Sequence, residues 1–308
     1  MSALGELRQL GTSTGGPPRK RDNKAAFLFL LPWFAGLALI TAGPVVISFF
    51  LGFTDYNLIQ DPKFTGLHNF QRMLHDDRLH QALGVTFIYV FVSVPLQLAA
   101  ALGLALLLDR GLRGLAFYRS VFYLPSLLGS SVAIAVLWRQ IFGAEGLVNQ
   151  ALELVGVHGK GWISDPSTAL GTLIVLNVWT FGAPMIIFLA GLRQIPVMYY
   201  EAAAVDGASK IKQLRSITLP LLSPIIFFNL VLQVIHAFQS FTQAFVVSGG
   251  SGGPSDSTLF YTLYLYQRGF GNFDMGYASA LAWLLLLIIA AFTAVNFWAA
   301  KHWVFYDD

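Results

Sequence analysis

The chain has 308 residues, 56% of them hydrophobic and 11% charged, with a formal net charge of +3 and no cysteine. Soluble domains carry about 25% charged residues, so the composition points to a lipid-embedded protein. The small, scattered positive charge argues against nucleic acid as a partner, and the missing cysteines exclude disulfides and thiolate metal sites.

Residues 1–24 are rich in Gly, Pro, Ser, Thr and basic side chains and read as a disordered tail. Six apolar stretches follow, near 25–53, 82–108, 120–140, 168–192, 221–247 and 275–300. Each reaches the roughly 20 residues that a helix needs to cross a bilayer. Pro32 and Pro44 predict a kinked or broken first span. The expected fold is therefore an all-α integral membrane protein with six transmembrane helices, and no loop is long enough for a separate domain.

Thirteen Lys and Arg residues fall on one side of this arrangement. They are Arg8, Arg19, Lys20, Arg21, Lys24, Arg110, Arg113, Arg119, Arg193, Lys210, Lys212, Arg215 and Lys301. Six fall on the other. The imbalance predicts that both termini, including the tail 301–308, and the loop 193–220 are cytoplasmic. Trp33, Trp138, Trp162, Trp298 and Trp303 lie near proposed span ends, where interfacial anchors gather. The outer segment Gly249–Pro254 reads as a flexible hinge. His75 and His80, beside Asp76 and Asp77, read as a solvated surface, since no ligand spacing supports a metal.

No span interior holds Asp, Glu, Lys or Arg, and His236 is the one ionisable group there. Proton-coupled carriers commonly depend on such groups. Any driving energy is therefore expected from outside the chain, although sodium coupling through carbonyls and hydroxyls stays open. The sequence has no phosphate loop, because Gly159-Lys160-Gly161 lacks the upstream glycine and the following Ser or Thr.

The fifth span carries Asn229, Gln233, His236, Gln239, Ser240, Thr242 and Gln243. Asn229, Gln233 and His236 share a helical face, which Gln239 and Gln243 are expected to continue. An uncharged, amide-rich face suits sugar hydroxyls, and it equally suits interhelical hydrogen bonding. Asn177, Trp179 and Trp283 are further candidate contacts on the solute pathway, by an amide and by aromatic faces.

The loop 193–220 is polar and helix-forming. Val205, Ala208, Ile211, Leu214 and Ile217 recur every three residues and predict an amphipathic element, bent at Gly207 and separated from the fifth span by Leu219-Pro220. From amphipathicity alone, a helix lying on lipid headgroups is one reading.

The pattern Glu201-Ala202-Ala203-x3-Gly207-x9-Ile217-x-Leu219-Pro220 resembles the coupling loop of ABC importer permeases. Gly66-Leu67-His68-Asn69-Phe70, Arg119 to Pro125, Trp138, Asn149 and Leu189 to Pro196 are similar to further segments of the carbohydrate-uptake members, over roughly 25–300. The chain resembles the first of two permeases in maltose-type or glycerol-3-phosphate-type systems, without the extra N-terminal spans and large outer domain of the maltose permease. The resemblance implies a non-catalytic inner-membrane subunit that imports a sugar or sugar derivative by alternating access. It implies a second homologous permease, a homodimeric ABC ATPase that binds ATP and Mg, and an extracytoplasmic solute-binding protein. It assigns ATPase coupling to Glu201, Ala202, Ala203, Asp206, Gly207, Ile217, Leu219 and Pro220, with no metal or cofactor on this chain. An importer of a phosphorylated polyol and an autonomous ion-coupled carrier are the alternatives.

Overall fold

The computed structural model describes residues 23–111 and 114–305. The expected tail before residue 23, with Arg8, Arg19, Lys20 and Arg21, lies outside them, as do Arg113 and the last three residues. Among the described residues the structure is helical, with one isolated bridge between Thr54 and Phe64.

The chain divides into two units, the first ending at Ser48. In the first, α1 (Asn23–Gly36) passes through a π-helical stretch (Leu37–Ala42) into α2 (Gly43–Leu51). The Gly43 amide bonds the Ala38 carbonyl, five residues back. Pro44 has no N–H to give and its ring would crowd the carbonyl four residues earlier. The wider turn absorbs this, so the expected interruption is a π stretch and not a break.

The second unit begins with α3 (His68–Met73) and α4 (Asp77–Leu108). A bent pair follows, α5 (Leu115–Leu128) and α6 (Val132–Ile141), then the short α7 (Leu147–Glu153). Next come α8 (Ala169–Trp179), α9 (Gly182–Leu192), α10 (Val197–Val205), α11 (Lys210–Gln213) and α12 (Leu219–Phe238). The last elements are α13 (Thr242–Val247), α14 (Tyr261–Tyr266) and α15 (Met275–Trp303). Five helical runs are long and apolar enough to span a membrane, and the bent pair makes a sixth. The third span expected at 120–140 is therefore corrected. It is two helices meeting at 96° across Gly129, Ser130 and Ser131. Ser131 restarts the chain as the N-cap of α6, accepting from the Ile134 amide at 3.3 Å.

Helix α4 is the centre of this unit and packs on α8, α9, α12 and α14. Ala82, Val85, Tyr89, Val94, Ala101 and Ala105 are buried, while Ile88, Phe91, Leu96 and Leu107 on its other side are exposed. A helix apolar on every side is the signature of a lipid span. Phe87, Phe238 and Phe292 join α4, α12 and α15, with ring centroids 5.4–5.7 Å apart. Trp138, expected at an interface, is instead 9% exposed and donates to the Thr172 carbonyl at 2.9 Å.

The loops 54–80, 142–167 and 248–274 are ordered by buried polar side chains. Asn69 donates to the carbonyls of Gly52 and Thr54 at 3.0 and 2.8 Å. Asn149 bonds the Ala144 and Lys160 carbonyls and accepts from Trp162. The Gly249–Pro254 segment is tied down, by Gln267 to the Gly250 carbonyl and by Thr258 to the Gly252 carbonyl, so it is no loose hinge.

Asp76 is the anchor of this side. One carboxylate oxygen caps α4 at the Leu79 amide, 3.2 Å away. The other accepts from the Tyr264 and Tyr277 hydroxyls and faces Arg268 at 3.4 Å. The Asp76 side chain is 8% exposed and so departs from the expected solvated surface, while His75, Asp77 and His80 are exposed as expected. Burial alone would raise the Asp76 pKa. The Tyr264, Tyr277 and Leu79 hydrogen bonds and the Arg268 charge outweigh it and hold the carboxyl below its usual 3.8. Burial first, then the bond to Asp76, pushes Tyr264 up to about 12.

Removing Asp76 strands the Arg268 charge and uncaps α4. Asp76→Ala is expected to cost roughly 3 kcal/mol, as when one partner of a buried pair is removed, measured as thermal unfolding in detergent. A depressed folded pKa gives stability that is complete above 3.8 and fades as pH falls through the folded value. That acid limb should be missing from Asp76→Asn.

Candidate solute cavity and coupling loop

Three spans are interrupted within the membrane region. Helices α5 and α6 part at Gly129–Ser131, α8 and α9 at Thr180 and Phe181, and α12 and α13 at Gln239–Phe241. Inside a bilayer such breaks survive only where protein or a water-filled cavity satisfies the freed backbone. Here all three open onto one cavity of about 520 Å³. Its walls include Tyr89 and Gln97 from α4, Ser126 from α5, Ser130 and Thr180 from two breaks, and Asn177 from α8. The far wall is Gln233, His236, Gln239, Ser240, Phe241, Thr242 and Gln243. No Asp, Glu, Lys or Arg is among the lining residues.

Seven residues singled out from sequence meet there: Asn177, Gln233, His236, Gln239, Ser240, Thr242 and Gln243. His236 and Gln239 are exposed to the cavity. Three others lie outside it. Asn229 shares the α12 face but sits one turn deeper, where α12 packs on α4 and α9, and it is fully buried. Its amide donates to the Ile225 carbonyl at 3.0 Å, while its Oδ1 has no partner. Trp179 packs near Trp138, with centroids 6.0 Å apart. Trp283 packs edge-on to Phe49 at 4.9 Å. The polar stripe is also not one helical face. Helix α12 stops at Phe238, so Gln239 and Ser240 occupy a break and Gln243 belongs to α13.

Sequence reasoning missed Tyr89, Gln97, Ser126, Ser130 and Thr180. Gln97 was the detectable one, an amide two residues after Pro95 in an otherwise apolar run.

The second polar feature is the loop 193–220. Helix α10 ends in a Schellman arrangement. Gly207 takes φ +73°, its amide bonds the Ala204 carbonyl at 3.1 Å, and the Ala208 amide bonds the Ala203 carbonyl at 2.8 Å. Ser209 caps α11 through the Lys212 amide at 3.3 Å. The element is then braced inward. The Tyr200 hydroxyl lies 3.0 Å from Thr218 Oγ1, buried Gln213 donates to the Ala208 carbonyl, and Arg193 pairs with Asp109 at 3.7 Å.

Glu201, Ala202, Asp206 and Gly207 are exposed, and Ala203 is half-buried. Ile217, Leu219 and Pro220 lie at the root, also half-buried. Two expectations about this loop are corrected. Val205 is 88% and Ile211 65% exposed, because the αL residue at Gly207 rotates the second helix and scrambles the three-residue stripe. Leu219-Pro220 does not separate the loop from the fifth span. A π-helical stretch, Leu214–Thr218, leads straight into α12 and accommodates Pro220. The Pro220 carbonyl that Pro224 cannot bond receives the Ser223 hydroxyl at 2.6 Å.

These features are those of a multi-span membrane protein with a polar cavity and a structured polar loop, and comparison with known proteins gives the family. Residues 73–303 match the model of the binding-protein-dependent transport system inner membrane component, and the chain belongs to that family. It is 49% identical, over 94% of each chain, to the probable ABC transporter permease YesP of Bacillus subtilis. It is 32% identical to the lactose transport system permease LacF of Rhizobium radiobacter, over 90% of this chain and 94% of that one. A chain of a bacterial alginate ABC transporter, crystallised with an alginate pentasaccharide-bound periplasmic protein, has the same fold. Its TM-score is 0.78 at 19% identity, covering 91% of this chain and 94% of that chain. The protein is thus a multi-pass permease subunit of an ABC importer, which removes the autonomous ion-coupled reading.

Asn229 tests which part of the polar stripe faces solute. Replacing a buried, half-satisfied amide by an apolar side chain of similar size is close to neutral or stabilising. Asn229→Leu is expected to hold or raise the melting temperature of the purified complex and to leave uptake intact.

Proposed function

We propose that this chain moves a sugar or sugar derivative through the cavity between its three helix breaks. The observation that carries this reading is the cavity's lining of amides, hydroxyls, an imidazole and two aromatic rings, with no fixed charge. Its size falls in the range of small-ligand sites, about 300–1,000 Å³. Amides and hydroxyls match sugar hydroxyls in both donor and acceptor roles. Relatives named for lactose, for trehalose and maltose, and for starch degradation products point the same way. A phosphorylated polyol would call for a cation, and the lining supplies none.

The partners are a second homologous permease, a homodimeric ABC ATPase with its ATP and Mg, and an extracytoplasmic solute-binding protein. This chain binds no cofactor of its own. Loop 193–220 is the ATPase contact, and it and both termini face the cytoplasm, as the basic residues favour. The exposed Glu201 carboxylate would accept a charge-assisted bond from a basic residue in the ATPase. Exposed Val197, Met198, Val205 and Ile211 around it offer apolar contact area. Nucleotide-driven closure of the ATPase would then move a braced loop as one lever, and the spans would alternate between two openings.

Two outcomes test this. A tagged chain drawn from native membranes in mild detergent should bring an ATPase and a second permease with it. The Glu201→Arg, Gly207→Asp variant should lose the ATPase and keep the permease. Co-purification of the ATPase with both would remove the loop from the contact. Separately, Gln233→Leu with Gln239→Leu should leave assembly intact and lower uptake by roughly tenfold, about one hydrogen bond's worth. Unchanged uptake would sink the cavity reading.

A further inference from the structure

Thr180 makes more contacts across the helix breaks than any lining role needs. Its hydroxyl donates to the Asn177 carbonyl at 2.7 Å and accepts from Gln97 Nε2 at 2.9 Å. Its carbonyl, freed by the break, accepts from the Ser126 hydroxyl at 2.8 Å and from the same Gln97 amide at 3.3 Å. Ser126 in turn accepts from the Ala183 amide at 2.9 Å, one of the first N–H groups of α9, which have no partner within their own helix.

The Thr180 methyl faces the other break. A Cβ built on Gly129 would fall 2.1 Å from Thr180 Cγ2, and one built on Gly182 would fall 2.3 Å from the Phe122 carbonyl oxygen. The bent third span and the interrupted fourth therefore touch backbone to backbone. The Gly129 carbonyl accepts from Gln243 Nε2 at 3.1 Å, which brings in the fifth span. Gln97 is 2% exposed on α4, the helix on which α8, α9, α12 and α14 pack.

We propose that the Thr180 junction, held by Gln97 and Ser126, is the positioning element that fixes the three breaks at one level and so sets the width of the cavity. The proposal builds on the cavity as the solute path, yet it concerns geometry and is measured without solute. Thr180 acts here through its hydrogen bonds. The methyl only fills the space beside Gly129. Two substitutions separate these roles. Thr180→Val keeps the shape and loses the hydroxyl. Thr180→Ser keeps the hydroxyl and loses the methyl.

The experiment uses the assembled importer in nanodiscs and has two readouts. The first is amide hydrogen exchange in peptides covering 126–132 and 180–186. Losing about one net hydrogen bond lowers the local opening free energy enough for roughly tenfold faster exchange. The second uses the absence of native cysteine. Ser130→Cys is the single thiol of this chain, and its modification by a bulky maleimide and by a small methanethiosulfonate is followed by mass spectrometry. Thr180→Val and Gln97→Leu should accelerate exchange in both peptides and speed the bulky reagent about tenfold, with the small reagent unchanged. Thr180→Ser should match the parent in both.

Faster exchange without a change in maleimide access would make the junction structural only and overturn the proposal. So would a Thr180→Ser defect with a normal Thr180→Val, because packing would then be the cause. Should Thr180→Val fail to assemble, Ser126→Ala supplies the same test at the Ala183 amide, with parent-like exchange there counting against the proposal. If uptake proves insensitive to Gln233 and Gln239 while these shifts occur, the solute path is elsewhere and the junction stands.

Discussion

A backbone group in the bilayer core has no water to bond, and leaving it unpaired costs several kcal/mol. Three breaks at one level multiply that liability. The structure meets it with side-chain amides and hydroxyls. Gln97 and Ser126 serve the Thr180 carbonyl, Ser126 serves the Ala183 amide, and Gln243 serves the Gly129 carbonyl. The groups that make the breaks tolerable are the same groups that make the cavity polar. A solute site and the repair of broken helices are one construction here, which is why the cavity needs no charged residue.

The same economy of backbone shapes the other end of the protein. Loop 193–220 leaves the fourth span, turns on an αL glycine and enters the fifth span without a flexible joint. Its inward contacts are side chain to side chain or side chain to carbonyl, through Tyr200, Gln213 and Thr218. Its outward face is left with Glu201, Val205 and Ile211. A loop stiffened in this way suits the lever role proposed for it. The π-helical turn removes the joint that Pro220 would otherwise have created.

Spans, and loop 193–220 as a distinct element, were legible because they rest on composition and local chemistry. A run of apolar residues long enough to cross a bilayer has one good solution. Gly207 after three alanines also has an obvious use, as a positive-φ helix stop. What sequence could not show is where helices end in response to their neighbours. Gly129-Ser130-Ser131 looks like a permissive patch within a span, and only the close approach of Thr180 explains a 96° turn there. The α12 stripe failed similarly. Asn229 and Gln233 share a face, but packing on α4 and α9 closes over one and not the other. Asp76 was misjudged because its partners Tyr264, Arg268 and Tyr277 lie about two hundred residues away.

The uncharged membrane interior also bears on energetics. A carrier that binds protons needs a titratable group whose affinity differs between states, and a ligand shifts an equilibrium only through such a difference. This cavity offers a phenol, Tyr89, and an imidazole, His236, and no carboxylate or amine among its lining residues. Amides and hydroxyls bind a sugar in either orientation with modest preference. On the proposed function, the difference between states then has to be imposed from outside the cavity. On that proposal the switch lies in a partner protein, and this chain needs only its breaks to hold their geometry while the spans around them move.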